Sequence, residues 1–229
     1  MSSHLALLAG AAIGTAAGAA FLPLTRRQLA GAIDRARSRP DVSAAPEALA
    51  QVATRHWLAL VATSGLLPAL VLYRVGWSFN AIPPLLLLLG LIQLAYCDFS
   101  RRLLPKNLVH GIGGTVVLSG LAIAVANNEW ARFFHASVGG LAFFGVLFAM
   151  NLMNPRWMAF GDVRLAPAVG FGLTWISPYA LFEGFFIANM LAAAIGVALI
   201  AIQKANRKTA LPFGLYLALG AGITIIAWS

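Results

Sequence analysis

Only seven of 229 residues are acidic, so each can be weighed by its surroundings. Asp34, Asp41 and Glu47 fall in a polar, arginine-rich segment, Glu129 stands near Arg132, and Glu183 lies early in an apolar stretch. Asp98 and Asp162 differ from these. Each lies where an apolar stretch meets a basic loop. A carboxylate at such a boundary costs free energy unless it is hydrated, paired or used. Two carboxylates brought together resist double ionisation and hold one proton between them. The ionised member can then deprotonate a water, while the protonated one polarises a peptide carbonyl and later assists the leaving amine. Their pKa values belong to the pair. Such chemistry hydrolyses an amide with neither metal nor cofactor. The structural alternative gives Asp98 a salt bridge to Arg101 or Arg102 and makes Asp162 the N-cap of a helix beginning near Val163.

The elements that must position these groups follow from composition. The chain is 60% apolar and 10% charged, with a mean hydropathy of +0.83, whereas soluble domains run at roughly 45–50% and 25%. A water-solvated core, a disordered chain and a coiled coil are excluded, which leaves an all-α polytopic membrane protein. Eight stretches approach the roughly 20 apolar residues that span a bilayer. They are 5–24, 57–73, 80–97, 108–126, 134–153, 163–177, 179–202 and 210–228. The first has no Lys or Arg before it and is read as a span, not a cleaved signal. The sixth is short and holds Pro167, Gly170 and Gly172, and its division from the seventh rests on Ser177-Pro178.

Charge placement tests this partition. The net charge is +9, from 16 basic and 7 acidic residues. In a membrane protein that excess reads as topology, not as nucleic-acid binding. Loops 25–56, 98–107, 154–164 and 203–209 hold six, three, two and three basic residues, while the opposite loops hold only Arg74 and Arg132. The positive-inside rule then places the first set in the cytoplasm, with an even number of spans and both termini outside. Asp98 and Asp162 fall at the cytoplasmic boundary. The basic loop 25–56 is too short for a substantial core and is expected to lie solvated at the anionic leaflet. Cys97 is the one cysteine, so an internal disulfide and a Cys-rich zinc site are excluded. Gly10, Gly14 and Gly18 form a small-residue stripe suited to close helix packing. Cys97 is read as a packing residue, His110 as a helix-face residue, and Met150 and Met153 as core side chains; Asn151 and Asn154 bracket the fifth span's cytoplasmic end.

Local sequence adds a resemblance. Asp98-Phe-Ser-Arg-Arg-Leu-Leu-Pro105-Lys-Asn107 resembles the first aspartate motif of the type IV prepilin peptidases, an Asp followed seven residues later by Pro in a basic loop. Gly161-Asp162-Val-Arg164-Leu165, with Gly170 beyond it, is similar to their second motif, the Gly-Asp-x-Lys-Leu segment of the GxGD aspartic proteases. Pro212-Phe-Gly214-Leu-Tyr-Leu-Ala-Leu-Gly220 is similar to the family's Pro-Phe-Gly-Pro segment in the last span. The order is the family's, and the resemblance covers essentially the whole chain. Departures are Ala159 where the pattern begins with Gly, Arg164 for the usual Lys, and Leu215 for a frequent Pro. The four-cysteine zinc site of long members is absent from loop 25–56.

The resemblance implies that residues 1–229 are a single transmembrane peptidase domain in the prokaryotic cytoplasmic (inner) membrane, with Asp98 and Asp162 catalytic. Gly161, Arg164, Pro105, Asn107, Pro212 and Gly214 would bind substrate or shape the site, and no metal takes part. The implied substrate is a prepilin or pseudopilin, its basic leader cut from a hydrophobic helix at the cytoplasmic face. Partners are that precursor and the lipid bilayer, and no nucleic acid. S-adenosylmethionine enters only if the family's second activity, N-methylation of the new terminus, is retained. Two other classes compete. One is a small proton- or cation-coupled transporter using the same carboxylates, which would more readily hold them near the midplane. The other is a non-catalytic secretion-system assembly protein.

Overall fold

In the computed structural model, residues 8, 11, 12, 14–16, 19, 57–75, 78–101, 106–154, 160–201 and 213–228 are described, with 57–61, 75, 96–101, 106 and 199–200 as backbone only. Every regular element among the described residues is helical: α1 (Trp57–Val75), a 3-10 turn (Phe79–Ala81), α2 (Ile82–Arg101), α3 (Lys106–Asn127), α4 (Trp130–Met153), α5 (Phe160–Ile176), α6 (Pro178–Ala201) and α7 (Phe213–Trp228). The described positions between Leu8 and Ala19 are helical too. By length and composition, three helices among the described residues can cross a membrane: Asn107–Asn127, Trp130–Met153 and Pro178–Ala198. The expected loop 25–56 lies outside the described residues.

Helix ends follow local chemistry. α3 closes in a Schellman motif, with Asn128 left-handed at φ 58° and the Glu129 amide donating to Ala124 O at 3.1 Å. That tight turn leaves Glu129 free to start α4. The break at Ser177-Pro178 is also realised. The Ser177 hydroxyl accepts from the Tyr179 amide at 3.2 Å, and Pro178 opens α6, where a missing N–H removes no helical bond.

The bundle turns apolar side chains outward and several polar ones inward. Phe182, Phe186, Met190 and Val197 on α6, and Phe134, Leu141, Leu152 and Met153 on α4, are exposed. Ser64, Gln93, Asp162, Thr174 and Thr224 are buried. Water would penalise such a surface, whereas lipid accepts it. Met153, expected in the core, is 75% exposed; a lipid-facing methionine and a buried one carry the same apolar signal in sequence.

α5 is the hub. It packs against α2, α3, α4, α6 and α7, and its residues from Val163 to Trp175 are buried apart from Arg164 and Pro167. Glycine lets neighbours come close. A Cβ on Gly170 would stand 2.8 Å from both Gly139 O and Gly140 Cα of α4. α6 and α7 meet through Gly220, which rests on Gly184 and Ala188. From the N-terminal stripe, Gly14 presses on the α1 backbone at Ser64, as close packing requires, while Gly10 and Gly18 lie outside the described residues.

Candidate active site

Contacts between three pairs of helices fix the levels of the candidate residues. α2 and α5 run antiparallel: Trp175 Nε1 donates to Asn80 O at 3.1 Å just before α2, and Gly172 abuts Leu87, whose Cδ2 would lie 2.6 Å from an added Cβ. From Leu87 to Asp98 the helix advances about 16 Å, and from Gly172 back to Asp162 about 15 Å. Positions 98 and 162 therefore share a level to about one residue's rise. Position 98 also returns, within about 20°, to the side of α2 that Leu87 occupies against α5.

α3 runs parallel to α5, with Gly113 against Ala168 and Gly120 against Phe171 and Trp175. Stepping back equally from Gly113 and Ala168 reaches Asn107 and Asp162, each about 9 Å along its helix. α7 runs antiparallel to α2: a Cβ added to Gly222 would lie 3.4 Å from Leu88 Cδ1, and Ile225, further along α7, lines one cavity with Pro84, further back on α2. Gly214 then falls about 3 Å from the level of position 98. The helix register thus gathers Asp98, Asn107, Asp162 and Gly214 at one end of the bundle. Pro105 and Pro212 lie outside the described residues, as does the side chain of Asp98.

Asp162 is 2% exposed and sits in the first turn of α5. The structural alternative makes it an N-cap before Val163, but α5 begins earlier, at Phe160. The carboxylate thus lies inside the helix start, where the unpaired amides and the dipole favour negative charge. Gly161 beside it is half-buried and has no side chain to block a neighbouring backbone. Arg164 does not stand free: its guanidinium carbon lies 4.6 Å from the centre of the Phe160 ring, one turn back. Gly214 is buried and Asn107 exposed.

The remaining candidates separate cleanly. His110 is exposed on α3, and Asn151 and Asn154 are half-buried at the end of α4. Glu129 and Arg132 form the expected surface pair, at 2.6 Å, and Glu183 accepts from Trp228 Nε1 at 2.5 Å. These last four belong to the end of the bundle that holds Trp175. Among the described residues, no three His, Cys, Asp or Glu side chains converge to hold a metal. Sequence reading missed the groups that set the register: Trp175 with Asn80, and the Gly139-Gly140 pair. The available signal was a glycine doublet inside an apolar span.

The chain has relatives among known proteins. Among curated relatives, the prepilin leader peptidase/N-methyltransferase of Stutzerimonas stutzeri is 31% identical over 168 residues, covering 72% of this chain and 55% of the relative. The like-named protein of Pseudomonas aeruginosa is 27% identical over 186 residues (77% and 60%). That of Myxococcus xanthus is 29% identical over 151 (64% and 43%). The chain spans a little over half the length of the first two. No solved structure matches it. The model of the type IV leader peptidase family matches residues 85–202, more than half of the chain and inclusive of Asp98 and Asp162. The chain belongs to the type IV leader peptidase family.

Proposed function

We propose that this protein is a membrane aspartic endopeptidase that removes the basic leader from type IV prepilin or pseudopilin precursors at the cytoplasmic membrane face. The observation that carries the reading is the shared level of positions 98 and 162, one of them a buried carboxylate on the bundle's central helix. The names of the relatives supply the substrate class.

In this reading Asp98 and Asp162 share one proton. The ionised carboxylate takes a proton from water, and the resulting hydroxide attacks the scissile carbonyl carbon. The protonated partner donates to the carbonyl oxygen. Collapse of the tetrahedral intermediate breaks the C–N bond, and a carboxyl returns a proton to the departing amine. Water is the one co-reactant, with no metal and no cofactor. Gly161 leaves room for an extended substrate strand. Arg164, stacked on Phe160, shapes the entrance and does not itself attract a basic leader. The bilayer is the prokaryotic inner membrane, with loop 25–56 on its cytoplasmic side. Proteolysis requires no S-adenosylmethionine; the mass of the new terminus reads methylation separately.

The test is co-expression with a candidate prepilin, followed by a gel-shift assay for leader removal. Asp98→Asn and Asp162→Asn should each slow cleavage by at least about 10²-fold. If both variants cleave as well as the parent, the dyad is wrong.

A further inference from the structure

One side chain on α6 is out of keeping with a lipid-facing helix. Of the three helices that can cross a membrane, α6 is the least enclosed by protein, and Phe182, Phe186, Met190 and Val197 turn outward from it. Between Glu183 and Ala201 every residue is apolar or glycine except Asn189. Asn189 stands 11 residues past Pro178 and 12 short of Ala201, about 16 Å and 18 Å along the helix. That is the middle of a span, where neither headgroups nor water reach. Neither α3 nor α4 carries an amide or a charge in its middle third.

The amide is only half satisfied. Asn189 Nδ2 donates to Phe185 O, one turn back, at 2.7 Å, a local bond that occupies one of its two N–H groups. The second N–H and Oδ1 have no partner among the described residues. Asn189 is half-buried, and its oxygen is not enclosed as those of Asn80 and Gln93 are, so a neighbouring helix can reach it. Hydroxyls elsewhere on the bundle raise no such demand. Thr115, Ser119 and Ser137 each give their single hydrogen to a carbonyl of their own helix. In hydrocarbon, an open amide donor and acceptor cost free energy that only another polar group recovers.

The surroundings admit a close neighbour. Phe182, Ala193 and Gly196 lie within about 40° of Asn189 around α6; Phe182 and Ala193 are exposed and Gly196 is half-buried. Small residues at 193 and 196 let a second backbone approach to the distance that a short amide spans. A donor and an acceptor open on one amide are also complementary to themselves. Two copies inserted with the same topology are related by a two-fold axis along the membrane normal, which sets Asn189 against Asn189 at equal depth. Each can give its second N–H to the other's Oδ1, and both amides are then satisfied. Acyl chains offer neither group, and a different chain would need both at that same depth. We infer that this face of α6 is a self-association surface, on which a second copy of the chain docks through a reciprocal Asn189 pair. Phe182 flanks the pair toward Pro178, and Ala193 and Gly196 flank it toward Ala201. One helix face is a small interface, so association follows the density of protein in the bilayer.

The test is energy transfer between donor- and acceptor-labelled chains, reconstituted together in phosphatidylcholine vesicles over a range of protein-to-lipid ratios. The labels sit on Asn127→Cys, an exposed position at the end of α3, in a Cys97→Ser background. Transfer should rise with density along a dimer isotherm. Asn189→Leu should shift its midpoint about threefold to tenfold toward higher density. Ala193→Leu keeps the amide but blocks the approach, and should weaken transfer likewise. Leu141→Phe, on the exposed face of α4, should leave the parental isotherm. Transfer no greater than random proximity gives overturns the assignment. So do parental isotherms in both Asn189→Leu and Ala193→Leu, or a shift by Leu141→Phe as large as theirs. Displacement of self-transfer by a co-reconstituted prepilin would put a substrate helix on this face and overturn it too.

Discussion

Gly170 of α5 and Gly140 of α4 pack backbone against backbone, so closely that a methyl group on Gly170 would stand 2.8 Å from Gly140 Cα. This contact, with Gly139 O at the same distance, seats the helix that carries Asp162. Gly170→Ala is therefore expected to wedge the two helices apart. It should destabilise the fold by about 1–3 kcal/mol and reduce leader cleavage, read by thermal unfolding and gel shift. Gly145→Ala is the matched control. Its added Cβ meets nothing within 4 Å, so helix propensity alone acts, and stability should hold or rise by up to about 1 kcal/mol.

The parallel register of α3 on α5 can be locked covalently. A Cβ on Gly113 would lie 3.6 Å from Ala168 Cβ, within the span of a disulfide. In a Cys97→Ser background, Gly113→Cys with Ala168→Cys should cross-link under mild oxidation, shifting mobility on a non-reducing gel. Failure to cross-link would remove the register that sets Asn107 level with Asp162.

Glu183 is an acid at the wrong end of the bundle for the proposed chemistry. Its partner is the Trp228 indole, and Glu183→Gln keeps an acceptor for that N–H. Cleavage by this variant should stay within about twofold of the parent, a small part of the 10²–10⁴-fold that a general acid or base supplies. Loss of activity comparable to that of Asp162→Asn would move the site across the membrane.

Trp175→Phe isolates a single bond. The ring stays buried between the helices, but the hydrogen bond to Asn80 O disappears and leaves a carbonyl unpaired. The melting temperature should fall by the equivalent of about 1 kcal/mol, with cleavage retained because Trp175 and Asp162 stand at opposite ends of α5.

Much of this architecture is readable from residues alone. Span 57–73 becomes Trp57–Val75, span 179–202 becomes Pro178–Ala201, and the Ser177-Pro178 break falls as turn chemistry requires. Apolar runs bounded by charge or Pro leave little choice. The centrality of α5 was not legible. Pro167, Gly170 and Gly172 mark it as the weakest span, yet Gly170 and Gly172 are what allow α4 and α2 to close on it. A helix sheathed by others needs small residues more than apolar bulk, and hydropathy cannot express that. For the same reason, Asp162 reads as a cap when the helix start is placed at the first strongly apolar run; Phe160, stacked under Arg164, extends the helix by a turn. The pairing of levels between α2 and α5 depends on which glycine meets which side chain, information carried by the assembled bundle.

Enclosure of α5 by five neighbours also bears on how the surrounding lipid acts. Acyl chains reach the outer helices, but along its buried length this helix is bordered by protein. A bilayer made thicker, thinner or more fluid thus tilts the outer wall while the seat of Asp162 keeps its place. On the proposed function, lipid composition should accordingly govern how readily a hydrophobic substrate helix reaches the site, leaving the rate of bond breaking, once it has arrived, nearly the same.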